Sequence, residues 1–371
     1  MSKVVMNDFR ADPDDLVQAE VAACERVIRS GWWVLGTEVG AFEKEWAARL
    51  AVPHVVGCGN GMDAIELGLR ALGIGAGDEV ITTPMTAFAT VLAVLRAGAI
   101  PVLADIDADT AMLDLASVQR CLGPRTRAIV LVHLYGQVGA VESLAALAHQ
   151  RGIHLVEDCA QAHGATVQGR PAGSFGAFAA WSFYPTKNLG AVGDGGAFSS
   201  ASDALAERVR ALRNYGQSVR YHHPYLGMNS RLDEIQAAIL RTRLPWLDGW
   251  TARRRAIAQA YAQGIRHAAV RLLPLPADAD RHVHHLCVLT CADREALQKH
   301  LQGCGVDALI HYPVPIHHQE PCRDILRDPA GLAVAEAHAE RCLSLPCHPA
   351  MTDAQMAQVV DAVNSFAAAG G

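Results

Sequence analysis

The chain has 371 residues, 51% of them hydrophobic, with a net charge of −6 and a pI near 6.3. An acidic balance without a Lys/Arg tract excludes nucleic acid as the main partner, and the length exceeds one simple core, so two domains are expected. Ten cysteines without a C-x-x-C pair read as reduced thiols. The segment "MSKVVMNDFRADPDD" has no apolar leader core, and no run reaches membrane-spanning length, which together predict a cytoplasmic globular protein.

From Val55 to Ser200, short apolar runs alternate with amphipathic stretches. "HVVGCGNG" reads as a strand ending in a glycine turn, and "MDAIELGLRALGIG" as a helix closed by glycine. "DEVITTP" is a strand stopped by proline. "FATVLAVLRAGA" is a helix, followed by the strand "IPVLADID". "RAIVLVHLYG" is continuously apolar, as a strand covered on both faces must be. The helix "VESLAALAHQRG" and the strand "IHLVEDCAQA" come next, then the strands "FAAWSFYP" and "GGAFSS". This alternation predicts an α/β fold: a mainly parallel sheet with helices on both faces, binding ligands at the carboxyl ends of its strands. A long helical stretch broken near Pro245 follows. The mixed segment beyond it, with "HHLCVLTC", "DREALQKHLQGCG" and "VDALIHYPVPIHHQ", predicts a small α+β domain. The expected division is 1–244 for the large domain and 245–371 for the small one.

Four polar features fall at predicted strand ends. "GNGMDAIEL" is a glycine turn feeding a helix N-terminus, whose free N–H groups suit an anion. "LVEDCAQAHGA" puts Glu157 and Asp158 at the end of an apolar strand. Consecutive strand residues face opposite sides, so only one of the two enters a given site. "SFYPTKNLGAVGDGGA" carries Lys187, with Ser182 five residues earlier. Only four of the 32 basic residues are lysines (Lys3, Lys44, Lys187 and Lys299), and a lysine in a weakly polar, glycine-rich stretch can lose its proton and attack a carbonyl, which arginine cannot. "HPYLGMNSRLDEIQAAIL" places Asn229, Ser230 and Arg231 before a helix. An anion cradle, an acid for a ring nitrogen and an amine for an aldehyde are together what pyridoxal 5'-phosphate (PLP) requires.

These motifs resemble the DegT/DnrJ/EryC1/StrS family of sugar aminotransferases, of PLP fold type I. The resemblance begins at "GWWVLGTEVGAFE" and continues through the lysine motif and "LGMNSRLDEIQAAIL" to "HYPVPIHHQ" and "LSLPCHP". It implies that Lys187 forms the Schiff base and then moves protons, and that Asp158 pairs with the pyridine nitrogen. It implies that Gln161 contacts the ring hydroxyl, and that Ala160 packs on a ring face. Gly61, Met62 and Ser182 would hold the phosphate, with Asn229 reaching it from the other subunit of a homodimer. Two positions depart from the family pattern. Met62 stands where threonine is frequent, leaving only its backbone for the phosphate. In "TPMTAFAT" the usual place of the stacking aromatic is Ala87, and Phe88 follows one residue later as the aromatic candidate.

The resemblance also implies the substrates: L-glutamate as donor and a nucleotide-linked keto-deoxyhexose, with a lean to dTDP-sugars, as acceptor. Arg213, Arg220 and Arg231 are candidates for its diphosphate, and Tyr221, Tyr312 and His317 for sugar or diphosphate contact. Sugar dehydratases on this scaffold carry histidine in place of the Schiff-base lysine, so Lys187 argues against that activity. The intact lysine–aspartate–serine set argues against a non-catalytic regulatory or binding role. In "HVHH", alternation along a strand would put His282 and His284 on one face beside His285. With no third ligand in view they are read as structural, and no metal is expected.

Overall fold

The computed structural model describes residues 3–367. Helices α1 (Asp14–Ser30) and α2 (Thr37–Leu50) precede the first strand, β1 (His54–Cys58). Then come α3 (Gly61–Ala71), β2 (Glu79–Thr82), α4 (Phe88–Arg96), β3 (Ile100–Leu103), α5 (Leu115–Cys121), β4 (Thr126–Val132), α6 (Val141–Arg151) and β5 (His154–Asp158). A short hairpin, β6 (Thr166–Val167) and β7 (Arg170–Pro171), leads to β8 (Phe178–Ser182), β9 (Gly196–Ser200) and α7 (Asp203–Leu212). The chain continues through α8 (Glu234–Arg243), α9 (Leu247–Gly264), β10 (Val270–Leu272), β11 (Cys287–Cys291), α10 (Arg294–Gly303), β12 (Leu326–Arg327), α11 (Ala333–Arg341), β13 (Cys342–Leu345) and α12 (Asp353–Asn364).

Eight strands form the main sheet in the order β1-β9-β8-β5-β4-β2-β3-β12. From β8 to β12 every neighbour is parallel, whereas β9 runs antiparallel to both β8 and β1. The reason for the mainly parallel arrangement is visible in β4. Ile129 and Leu131 join a core with Leu144 and Leu155 on one face, while Ala128 and Val130 join Val156 and Phe178 on the other. Both faces are covered, so the strand is apolar throughout. Local signals set where α3 starts and how closely it packs. The Asn60 side chain caps it by accepting from the Asp63 N–H (2.8 Å). Gly68 lets it lie against β8, since a Cβ there would stand 2.3 Å from the Phe178 ring.

A second, three-stranded antiparallel sheet, β10-β11-β13, packs with α9, α10 and α12 around Tyr261, Leu289, Leu297 and Leu343. The long helical stretch is divided into α8 and α9 by a 3-10 turn over Leu244–Trp246, which contains Pro245. Two segments cross the division expected after residue 244. Val4 bridges to Val306 in the C-terminal half. Conversely, β12 returns to the main sheet beside β3. Its neighbour Asp328 is buried and held by Arg120 (2.6 Å) and Ser117, and its N–H donates to the Leu103 carbonyl (2.8 Å). Arg120 first, with Ser117 adding to it, holds the Asp328 carboxyl down to about 2.

"HVHH" does not continue the strand, which begins at Cys287. His284 takes φ +45°, and its N–H donates to His282 Nδ1 (3.0 Å). The two rings therefore stack at 3.7 Å in a turn instead of alternating along a strand.

Candidate active site

The carboxyl ends of β4, β5 and β8 bring the polar features together. At the end of β5, alternation separates the two carboxylates. Glu157 is completely buried; it accepts the N–H groups of Gly173 (2.8 Å), Phe175 (2.7 Å) and Gly176 (2.8 Å) and meets His133 Nε2 at 3.0 Å. Burial alone would raise its pKa, but His133 and these N–H groups hold it below the usual carboxylate value. Asp158 points the other way. Its Oδ2 accepts from Thr90 Oγ1 (2.8 Å) and its Oδ1 from the Ala160 N–H (3.1 Å). Thr90 is in turn paired with Thr86, which lies just before α4 (2.8 Å).

Lys187 follows β8 in a tight turn, its N–H donating to the Tyr184 carbonyl (2.8 Å). Among the described residues its amine has no ion-pair partner. Burial holds its pKa down to about 8, against the opposing pull of the Asp158 charge. Three histidines surround it. Burial keeps His163 at about 3, His311 at about 4 and His285 well below its usual value, and the nearby Lys187 charge adds to each. They are neutral at pH 7, so none of them adds a second positive charge beside Lys187. Asn188 orients His285, its Oδ1 lying 3.1 Å from His285 Nδ1 while its amide donates to the Val283 carbonyl (3.0 Å).

The anion cradle lies beside this pair. Gly61 and Met62 open α3, where N–H groups have no helical acceptor. Gly61 is required by contact: a Cβ there would stand 2.8 Å from the Ser182 Cβ. The segment around Asn229 is brought to the same turn, because Ser230 Oγ accepts from the Gly59 N–H (2.9 Å) and donates to Asp63 (2.7 Å). Asn229 itself is exposed, with a backbone bridge to Asn214. Gln161 is buried; its Oε1 accepts the Tyr135 N–H (2.6 Å), and its Nε2 faces the Tyr312 hydroxyl (3.4 Å). Burial first, then Asp158, pushes the Tyr312 phenol up to about 12. Ala160 is partly buried next to Asp158.

Three expected contacts are corrected. Phe88 is turned away from Asp158: Thr90 on α4, bonded to Thr86 just before the helix, takes the side towards the carboxylate. Phe88, two residues from each, packs instead with Val91, Leu103, Ile316 and Leu332. Arg213 is buried, with Nη1 donating to Glu43 (2.7 Å) and the Gly57 carbonyl (2.5 Å). It ties β1 to α2 and is not free for a diphosphate. His317 is buried, with Nε2 engaged by Glu336 (2.9 Å). By contrast Arg220 and Tyr221 are exposed and stack on each other, 5.0 Å from guanidinium to ring. Arg231 donates to Asn214 (3.0 Å) and lies over Tyr215. Sequence reasoning missed Thr90, Tyr135, Asn188 and the histidines about Lys187. "VEDCAQAHGA" displays His163, but nothing in the sequence pairs Thr90 with Asp158 across 68 residues.

The cofactor's fit rests on these side chains. They supply an unpaired lysine of lowered pKa, a buried carboxylate facing it, and a helix N-terminus with no room for a side chain beside Ser182. That is the arrangement of a fold type I, PLP-dependent aminotransferase. Residues 14–364 match the DegT/DnrJ/EryC1/StrS aminotransferase family model, and the chain belongs to that family. It is 44% identical to the dTDP-3-amino-3,4,6-trideoxy-alpha-D-glucose transaminase of Streptomyces venezuelae, over 98% of this chain and 96% of that one. It is 47% identical to the erythromycin biosynthesis sensory transduction protein EryC1 of Saccharopolyspora erythraea, over 88% of this chain and 89% of that one. The crystal structure of S. venezuelae DesV superposes with a TM-score of 0.96 at 43% identity, covering 100% of both chains. Pyridoxal phosphate is the cofactor of this aminotransferase.

Proposed function

We propose that the chain transfers an amino group from L-glutamate to a dTDP-linked keto-deoxyhexose, in sites shared between the two subunits of a homodimer. The observation that carries this is Lys187, free of any ion pair among the described residues and facing Asp158, in a chain this similar to a dTDP-amino-sugar transaminase. When bound, pyridoxal phosphate supplies the carbonyl for the lysine and a ring that takes up the electron pair of the C–H bond. The chain's own residues do the rest. Asp158, fixed by Thr90 and the Ala160 N–H, holds a proton on the ring nitrogen. Gly61, Met62 and Ser182 receive the phosphate, and Gln161 donates to the ring hydroxyl. Lys187 Nζ, poised near pH 8, takes and returns protons at the substrate carbon. Arg220, Tyr221, Arg231 and Tyr312 line the approach for the nucleotide sugar. In this reading residues 1–244 and 245–371 form a cofactor-binding and a smaller domain, each lending the other a short segment.

The dimer is supported by apolar side chains exposed in the segment leading to Asn229, where Leu226 is 89% and Tyr221 78% exposed. A mixed dimer tests it. Lys187→Ala subunits combined with Asn229→Ala subunits regain one near-normal site if Asn229 acts across the interface. Confirmed heterodimers without recovered activity refute the shared site. The substrate is tested by incubating the protein with glutamate and a panel of dTDP- and UDP-linked 3-keto and 4-keto sugars, and finding by mass spectrometry which one gains an amine. The name of EryC1 favours a second, regulatory reading. That reading requires a protein that turns over no member of the panel.

A further inference from the structure

We propose that Tyr135 is a positioning residue for the transamination: it decides which end of the Gln161 amide faces the cofactor pocket, from an anchor in the C-terminal half of the chain. The inference rests on the reading of Gln161 as a partner of the cofactor's ring hydroxyl. The two ends of a glutamine amide have nearly the same shape and opposite hydrogen-bonding sense, so a neighbour must choose between them. The Tyr135 N–H can only donate. Lying 2.6 Å from the Gln161 side chain, it takes the carbonyl end. The amino end is thereby left on the side of the Tyr312 hydroxyl (3.4 Å), free to donate to a ring oxygen.

The N–H is aimed by an unusual backbone. Tyr135 has φ +61° and ψ 0°, a left-handed conformation that costs a non-glycine residue about 1 kcal/mol. Contacts on several sides hold it there. The Tyr135 hydroxyl gives its single proton to the His311 carbonyl (2.6 Å), and His338 Nε2 lies 3.0 Å away. Burial keeps His338 at about 4, so the ring is neutral and its Nε2–H donates to the hydroxyl. The Tyr135 carbonyl accepts from the Leu286 N–H (3.2 Å), and the Gly136 carbonyl from the Val283 N–H (2.9 Å). Gly136 follows at φ +95° with no room to spare: a Cβ there would meet the Gln161 carbonyl oxygen at 2.8 Å and the His285 nitrogen at 2.9 Å. The corner is thus clamped between the Gln161 loop and the segment leading into β11.

Tyr135→Phe keeps the ring and the backbone N–H and removes only the hydroxyl anchors, so the holoenzyme can be compared directly. The readout is the pH midpoint of the visible band of lysine-bound pyridoxal phosphate. A donor on the ring oxygen draws charge from it and loosens the proton that oxygen shares with the Lys187 nitrogen. Losing the donor therefore raises the midpoint. Gln161→Ala is expected to raise it by about one unit and Tyr135→Phe by about half a unit, the scale of one hydrogen bond to a charged group. The double variant should go no further than Gln161→Ala alone, because Tyr135 acts through Gln161. His338→Gln, which keeps a donor, should stay near the parent, while His338→Leu, which leaves the bond to the His311 carbonyl in place, should shift in the same direction but less than Tyr135→Phe. Asp158, His163, His285 and the His311 side chain are unchanged throughout. No shift in Tyr135→Phe, or additive shifts in the double variant, overturns the role of Tyr135 and leaves that of Gln161 standing. No shift in Gln161→Ala overturns the reading of Gln161 and this inference with it.

Discussion

Glu157 and Asp158 are adjacent in sequence, and the structure gives them opposite consequences on mutation. In Glu157→Gln one carboxylate oxygen becomes an NH2 group. If it replaces Oε1, the N–H groups of Phe175 and Gly176 both face a donor. If it replaces Oε2, the Gly173 N–H and His133 Nε2 do. His133 cannot adapt by changing tautomer, because its Nδ1 already accepts the Gly139 N–H (3.3 Å). Each arrangement orphans at least one donor in a fully buried site, which costs about 1–3 kcal/mol per group, and the charge that strengthened the remaining bonds is lost as well. A destabilisation of about 2–4 kcal/mol follows, read as a fall in melting temperature of roughly 3–5 °C. Asp158→Asn keeps an oxygen for the Ala160 N–H, and its amide can donate to the Thr90 hydroxyl, so melting should move by less than about 2 °C. Its kcat should instead fall by about a hundredfold or more, since a neutral amide cannot hold a proton on the ring nitrogen. Calorimetry and steady-state kinetics on both variants decide the matter. A Glu157→Gln enzyme that melts normally but has lost turnover would mean that the two faces of β5 have been assigned the wrong way round.

Lys187, held down to about 8, should make the rate at which the apoprotein captures pyridoxal phosphate rise with pH to a half-maximum near 8. A rate still climbing at pH 10 would place the amine in solvent. Gly61→Ala drives a methyl group into Ser182 at 2.8 Å and should weaken cofactor retention at least about tenfold with little effect on melting, measured by dialysis against a competing carbonyl reagent. Unchanged retention would remove Gly61 from the cradle. Burial holds His163 and His284 at about 3, and His338 and His348 at about 4. Below the unfolded value of 6.5 the unfolded chain binds protons that the folded one does not. The stability these groups contribute is therefore complete above 6.5 and falls as the pH drops from there towards 4, by about 1.4 kcal/mol per pH unit for each proton taken up. Proton uptake on thermal unfolding at pH 5, compared in buffers of different ionisation enthalpy, should amount to several protons; an uptake near zero would mean that water reaches these rings.

Much of the large sheet was legible because its strands carry their own signals. Continuous apolar runs such as "AIVLV" mark strands covered on both faces, and the glycine turn with Asn60 marks the start of α3. The lysine and the carboxylate pair could be found from chemistry, and strand alternation stated that only one carboxylate could enter the site. What stayed hidden lies in long-range pairings. Phe88 and Thr90 are equally plausible neighbours of Asp158 in sequence, and only the register of α4 turns one in and the other out. Arg213 reads as a free cation until α2 delivers Glu43 to it across 170 residues. Tyr135 acts through its backbone N–H, which every residue but proline possesses, so no side-chain pattern could single it out. β12 has two residues and no periodicity, and only β3 defines it as a strand.

That small strand has a bearing on the order in which the protein is made. Seven strands of the main sheet have left the ribosome once residue 200 is out, yet β3 has no outer neighbour until Leu326 and Arg327 arrive, and the Asp328 bonds to Arg120 and Ser117 cannot close before then. For more than a hundred residues of synthesis the nascent chain carries one open, apolar edge, the feature that invites pairing with a neighbouring chain. A message truncated after Tyr312 but before codon 326 would therefore release a product that keeps the pocket residues on an unsealed sheet, prone to aggregate.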